Sequence, residues 1–123
     1  MKQEIEEIVK DLCSPEGEFP TKIINQNGYN FLSFSWGPKH LFEYFKLYED
    51  HQNKDMIVFD DERWTYQEAY QLSSAFAQSL INDFSVKKGD RVAIASRNYP
   101  EWIFSFIAIT SIGAVAVPMN SWW

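Results

Sequence analysis

Between Met56 and Pro118 the chain alternates short β-rich runs with helical stretches, and this alternation constrains the fold more than any other feature. Met56-Ile57-Val58-Phe59 is an apolar run entering the polar turn Asp60-Asp61-Glu62, with Arg63-Trp64 as the return of a hairpin. Thr65 and Glu68 stand three apart as a capping box, in which hydroxyl and carboxylate satisfy orphan backbone N–H groups reciprocally. A helix is therefore predicted from Tyr66, with Ala69, Leu72, Phe76 and Leu80 as its apolar face and Gln67, Gln71, Ser74, Gln78 and Asn82 as its polar face. Small Ala75, Ala77 and Ser79 would permit close packing. Val86 to Asp90 reads as a turn and Arg91 to Ala95 as a strand. Pro100 suits the first turn of a second helix, because its missing N–H would have had no partner there; Asn98 or Tyr99 would supply the cap. That helix should run to about Ser111, end at Ile112-Gly113, and lead into the buried strand Ala114 to Val117. Strand, helix, strand, helix, strand predicts an α/β fold, the βαβαβ opening of a parallel sheet with crossover helices.

The first half reads differently. Ile5, Ile8, Val9 and Leu12 fall at helical spacing, and Ser14-Pro15 ends that helix. From Ser14 to Pro38 three Pro, three Gly and several Asn give turn and loop chemistry, with alternating Phe31, Phe34 and Trp36 allowing a short extended stretch. Leu41, Phe42, Phe45 and Tyr48 mark a further amphipathic helix from about residue 39 to His51. The expected division is an irregular acidic extension with two short helices over 1–54 and a partial α/β domain over 55–123.

Charge follows the same division. Residues 1–62 carry six Lys against thirteen acidic side chains and residues 63–123 five basic against four acidic, within a net charge of −6. Nucleic acid is excluded as a partner on this basis, since phosphate neutralisation needs clustered Lys and Arg. Cys13 is the only cysteine, so no intrachain disulfide forms and a cytoplasmic setting is expected. Glu4, Glu6, Glu7 and Asp11 occupy the place where an export signal would be basic.

Candidate chemistry is sparse. His40 and His51 lack spaced partners for a metal or a catalytic base. Asp60-Asp61-Glu62 reads as a solvated turn rather than a cation site, because adjacent residues do not converge on one point. Cys13 has no context for nucleophilic catalysis, and Lys87, Lys88 and Arg91 form a small basic turn. Five dispersed glycines, Gly17, Gly28, Gly37, Gly89 and Gly113, make no phosphate cradle. No catalytic, cofactor-binding or metal-binding residue is assigned.

Four ordered segments resemble the N-terminal region of the adenylate-forming superfamily, most closely its acyl-CoA synthetases and fatty-acid–CoA ligases. They are Trp64-Thr65-Tyr66-Gln67-Glu68-Ala69, Lys88 to Ile94, Asn98-Tyr99-Pro100-Glu101-Trp102 and Ile112 to Asn120. Ala69 stands where the family usually has Leu, and Asn120 where peptide-synthetase adenylation domains usually have Asp. The ending Pro118-Met119-Asn120-Ser121-Trp122-Trp123 leans toward ligases of fatty or other apolar acids. The resemblance implies an AMP-forming acid–thiol ligase: a carboxylate attacks the α-phosphate of Mg2+-bound ATP, and the CoA thiol then displaces AMP from the acyl-adenylate. It also implies that the phosphate loop, the ribose and metal acids and the C-terminal Lys of such an enzyme lie outside this sequence. The chain is therefore expected to be an N-terminal fragment, inactive alone, of a parent that uses ATP, Mg2+, CoA and a small carboxylic acid.

Two alternatives belong to other classes. Residues 102–119 hold no charged side chain for eighteen positions, close to the lower limit of roughly 17–25 residues for a membrane span. Trp102, Trp122 and Trp123 could flank such a span, giving a tail-anchored or membrane-associated protein; Ser105, Thr110, Ser111 and Gly113 count against an integral segment. A stand-alone binding module is the other alternative, and it would leave long apolar sheet edges uncovered.

Overall fold

The computed structural model describes residues 2–46 and 48–120, which fall into two compact units, Met1–Pro38 and Lys39–Trp123. Trp122 and Trp123, the end of the family-like motif and one flank of the membrane alternative, lie outside the described residues.

The first unit opens with α1 (Lys2–Leu12) and continues into an antiparallel hairpin of β1 (Thr21–Gln26) and β2 (Tyr29–Phe34). The hairpin corrects the expectation of an irregular loop between Ser14 and Pro38. Gln26 pairs with Tyr29, so Asn27 and Gly28 form a two-residue turn, both with positive φ (54° and 86°). An Asn-Gly pair supplies that backbone with little strain, and its twist matches that of the strands it joins. The chain folds back under the end of α1 through Phe19 N–H to the Leu12 carbonyl (2.8 Å) and Thr21 Oγ1 to the Cys13 carbonyl (3.2 Å). Ile5, Ile8, Val9, Ile23, Leu32 and Phe34 stay exposed on this unit.

The second unit begins with two short helices, α2 (Leu41–Phe45) and α3 (Tyr48–His51), in place of the single helix expected over 39–51. Lys46 is the C-cap of α2. So short a run of aromatic side chains, which lose χ1 freedom in a helix, has little intrinsic tendency to propagate. β3 (Asp55–Phe59) and β4 (Glu62–Thr65) then form the anticipated hairpin and deliver the chain into α4 (Tyr66–Asn82). The capping box is complete: Glu68 N–H donates to Thr65 Oγ1 (3.2 Å) and Thr65 N–H to Glu68 Oε2 (2.9 Å).

β5 (Arg91–Ile94), α5 (Pro100–Ser111) and β6 (Val115–Pro118) make one parallel crossover, with Arg91 opposite Val115 and Ile94 opposite Pro118. Pro100 occupies the first turn of α5 and Tyr99 is its N-cap, without a side-chain hydrogen bond. The α/β class stands, but β3 does not join this pair in a single sheet; it pairs with β4 alone. A hairpin closes locally, whereas parallel pairing requires a crossover between the strands.

Packing also corrects the orientation of α4. Its buried row is Ala69, Ser73, Ala77 and Leu80, while Leu72 and Phe76 are 46% and 38% exposed. Small residues on this row let α5 approach closely, and Ala69 and Ala108 are both fully buried. Ser73 removes its hydroxyl from competition by donating to the Ala69 carbonyl (2.7 Å). One core cluster joins Ala77 and Leu80 to Ile94, Ala108, Ile109 and Ala114; a second joins Ile57, Ala69 and Phe104. α5 is thus buried on several sides beyond exposed Glu101, which accounts for the lack of charge from Trp102 onward. No helix among the described residues is long and apolar enough to cross a membrane, since the stretch 102–119 is split between α5 and β6.

Candidate functional site

In an open parallel sheet, ligands bind beyond the carboxyl ends of the strands, where loops lead into helix N-termini. Here that edge is the segment from Ala95 to Tyr99 after β5, the start of α5, and Met119 and Asn120 after β6. Met119 N–H donates to the Ile94 carbonyl (3.0 Å), which holds the two strand ends together. Ser96, Tyr99 and Glu101 face a shallow depression shared with Phe59 and Glu62. Asn98, Pro100 and Trp102 line a neighbouring cavity of ≈310 Å³ against Ile57 and Val58.

The opposite end of the pair is a structural clamp. Gly89 N–H donates to the Gly113 carbonyl (2.9 Å) and Val115 N–H to the Asp90 carbonyl (2.7 Å). Gly113 has φ +76°, and a Cβ there would lie 3.0 Å from Lys88 Cγ. Lys87 N–H donates to Asp90 Oδ2 (2.8 Å). The segments Lys88 to Ile94 and Ile112 to Asn120 therefore meet, and they meet as scaffold. Lys87, Lys88 and Arg91 sit at this end, away from the carboxyl edge.

The other singled-out residues are dispersed. His40 caps α2, accepting Glu43 N–H at Nδ1 (3.3 Å) with Nε2 3.5 Å from Glu43 Oε1. His51 ends α3. Asp60 and Asp61 form the turn between β3 and β4, and Asp60 has φ 48°. Half-buried Cys13 follows α1 in the first unit. Among the described residues no group of three or more His, Cys, Asp or Glu side chains is placed to hold a metal ion.

A feature missed in the sequence is an aromatic cavity of ≈230 Å³ in the second unit. Tyr44 and Phe45 of α2, Tyr48 and His51 of α3, and Tyr66 and Tyr70 of α4 wall it; Met56 and Ile107 complete the lining. Tyr48 and Tyr70 stack at 4.0 Å with planes 14° apart, and His51 tilts 57° against Tyr66 at 5.2 Å. Burial raises the Tyr48 phenol above its ordinary pKa, reinforced by Tyr70 and Glu49. The only advance signal was an aromatic content of 17%.

Residues 46–123, more than half of the chain, match the family model described as "AMP-binding enzyme". The chain belongs to that family. It is 37% identical over 65 residues to a 2-succinylbenzoate–CoA ligase of Bacillus velezensis, covering 53% of this chain and 13% of that one. It is 33% identical over 95 residues to an acetyl-coenzyme A synthetase of Helicobacter pylori, covering 73% of this chain and again 13% of the relative. A solved structure of NpsA-ThdA, an artificially fused adenylation–PCP di-domain from Klebsiella oxytoca, superposes with a TM-score of 0.65 at 33% identity, over 70% of this chain and 16% of that one. The chain thus spans about an eighth of the length of these curated relatives.

A family of this kind implies a nucleoside triphosphate and Mg2+, and the residues present do not fit them. Pro100 removes a backbone donor from the α5 N-terminus, the Trp102 N–H is engaged by the Tyr99 carbonyl (3.0 Å), and the metal-binding acids are missing among the described residues. No reaction step is assigned to side chains of this chain.

Proposed function

We propose that the chain is the N-terminal portion of an ATP-dependent acyl-CoA synthetase. Such a parent converts a carboxylic acid, ATP and CoA to an acyl-CoA, AMP and pyrophosphate, while this portion supplies scaffold and no catalytic group. The observation that carries the reading is the family match over residues 46–123, made through segments that pack as a capped helix and a clamped strand pair. CoA ligases among the relatives support the thiol acceptor, and coverage of 13% of their length supports a larger parent. The relatives named for succinylbenzoate and acetyl groups differ in size and polarity, so the acid is proposed only as a small carboxylic acid, with an apolar one favoured by the ending Pro118-Met119-Asn120-Ser121-Trp122-Trp123. A reducing, cytoplasmic setting is part of the proposal and rests on the lone Cys13.

The experiment compares the 123-residue chain with the product of the reading frame extended beyond the Trp123 codon. The extended protein should catalyse acid-dependent exchange of pyrophosphate into ATP and then form a CoA thioester; the isolated chain should do neither and give no saturable heat with Mg-ATP. Stoichiometric Mg-ATP binding by the isolated chain would overturn the scaffold role. Exchange without thioester formation would replace the synthetase by a peptide-synthetase type of adenylation enzyme.

A further inference from the structure

The β1–β2 hairpin lies outside the residues matched to the family, and the scaffold role gives it no task. We propose that its β2 edge pairs antiparallel with the β2 edge of a second copy of this chain, making a closed four-stranded sheet. The first unit has no buried residue among those described, and a hairpin alone is marginal in water until a third strand or a packed layer supports it. Its own helix does not supply that support. Ile5, Ile8 and Val9 of α1 stay exposed, as do Ile23, Leu32 and Phe34 on one face of the hairpin and Tyr29 and Phe31 on the other.

The two outer edges of the hairpin differ. On β1 the Thr21 N–H is taken by the Cys13 carbonyl (3.3 Å), and the strand carries charged Lys22, whose Nζ lies 3.4 Å from the Ser35 carbonyl. Covered backbone and a lysine are two of the devices that keep a strand edge from pairing. β2 has neither. No charged side chain occurs over the sixteen positions from 23 to 38, and among the described residues no backbone bond outside the ladder reaches β2. Ladder alternation then fixes what this edge offers. Ser35 N–H donates to the Pro20 carbonyl (2.7 Å), so the bonded pairs continue as Lys22–Ser33, Ile24–Phe31 and Gln26–Tyr29, and the N–H and C=O groups of Asn30, Leu32 and Phe34 point outward. Two copies related by a two-fold axis use all of these groups in one register, with Leu32 opposite Leu32 and Phe34 opposite Asn30 of the other copy. No like charges meet across that axis, and the apolar Ile23–Leu32 pair of each hairpin continues into that of the other. A second copy also closes the sheet, because both outermost strands are then the blunted β1. A strand from another protein would find no charged side chain on β2 to select it.

The test uses the full 123-residue chain. Sedimentation velocity at tens of micromolar should give twice the chain mass and no larger species. Leu32→Lys, which sets like charges against each other on the axis, should return the monomer mass, whereas Phe84→Ser, at an exposed position of the second unit, should leave the dimer intact. Cross-linking in a Cys13→Ser background reads the register. Cα atoms of a bonded antiparallel pair lie about 5.5 Å apart, within the roughly 4.4–6.8 Å that a disulfide spans, so Leu32→Cys should form an intermolecular disulfide under mild oxidation. Phe31→Cys, on the opposite face and opposite Ser33 rather than its own copy, should cross-link at least about tenfold less. A monomer at this concentration, a dimer that survives Leu32→Lys or is lost with Phe84→Ser, an assembly larger than a dimer, or equal cross-linking at the two positions would each overturn the proposal.

Discussion

Leu72 and Leu80 lie on the same helix and differ in burial, 46% against 6% exposed, so truncating each to alanine tests which face of α4 meets the core. Both substitutions remove the same three carbons. At Leu80 these carbons leave a cluster with Ala77, Ile94, Ala108, Ile109 and Ala114. Their transfer is worth about 2.4 kcal/mol at ~0.8 kcal/mol per methylene, and the residual cavity brings the loss to roughly 3 kcal/mol. At Leu72 about half of that transfer term applies, no closed cavity forms, and alanine returns a few tenths through helix propensity, leaving about 1 kcal/mol. The expected gap is about 2 kcal/mol, or roughly 8–16 °C in melting temperature for a unit of this size. Urea titration followed by circular dichroism at the helix band measures it on the 123-residue chain. Equal losses at the two positions, or a larger one at Leu72, would refute the assigned burial and restore the Leu72/Phe76 face to the core.

The α4 cap is expected to impose a pH dependence of definite sign. Hydrogen bonds from the Thr65 backbone and side chain hold the Glu68 carboxyl below its ordinary value of 4.5. Its contribution is therefore fully present above that value and lost as pH falls through the lowered folded one. Glu68→Gln should remove this acid-side slope from the stability curve, and Thr65→Ala should cost about 1 kcal/mol at neutral pH. Gly113→Ala should destabilise by about 1–2 kcal/mol because its φ of +76° places any Cβ in the left-handed region. Adding Lys88→Ala should relieve the side-chain crowding and leave most of that loss, which equilibrium denaturation of the double variant would show.

Some of this architecture was legible because its signals are local. The Thr65/Glu68 pair, Pro100 at the first turn of α5 and Gly113 after it each act within a few residues, so the sequence places them nearly where the structure has them. The Asn27-Gly28 turn was equally local and was misread because the surrounding Pro, Gly and Asn were weighed as loop composition. The α4 face failed for a different reason. Hydrophobicity favours Leu72 and Phe76, but close approach of α5 selects the smaller Ala69, Ser73 and Ala77. β3 takes the hairpin partner that Arg63-Trp64 indicates, and an apolar run alone does not show whether a strand also joins a parallel neighbour, which β3 does not. The aromatic cavity gathers residues from Tyr44 to Ile107, and no sequence window contains such a set.

The clamp at Gly89, Asp90 and Gly113 has a consequence in the order of events during synthesis. Arg91 and its partner Val115 are 24 positions apart (115 − 91). At ribosomal speeds of about 5–20 residues per second, β5 therefore waits roughly 1–5 s for β6 to emerge. The hydrogen bonds of the β3–β4 hairpin and of the α4 cap can form before that interval begins, since both ends of each lie upstream. During it the β5 edge and the inner face of α4 are unpaired and apolar, the kind of surface that chaperones hold. Nascent-chain pulldown across this window should find chaperone occupancy rising after Ile94 leaves the ribosome and falling once Met119, which bonds the Ile94 carbonyl, is free.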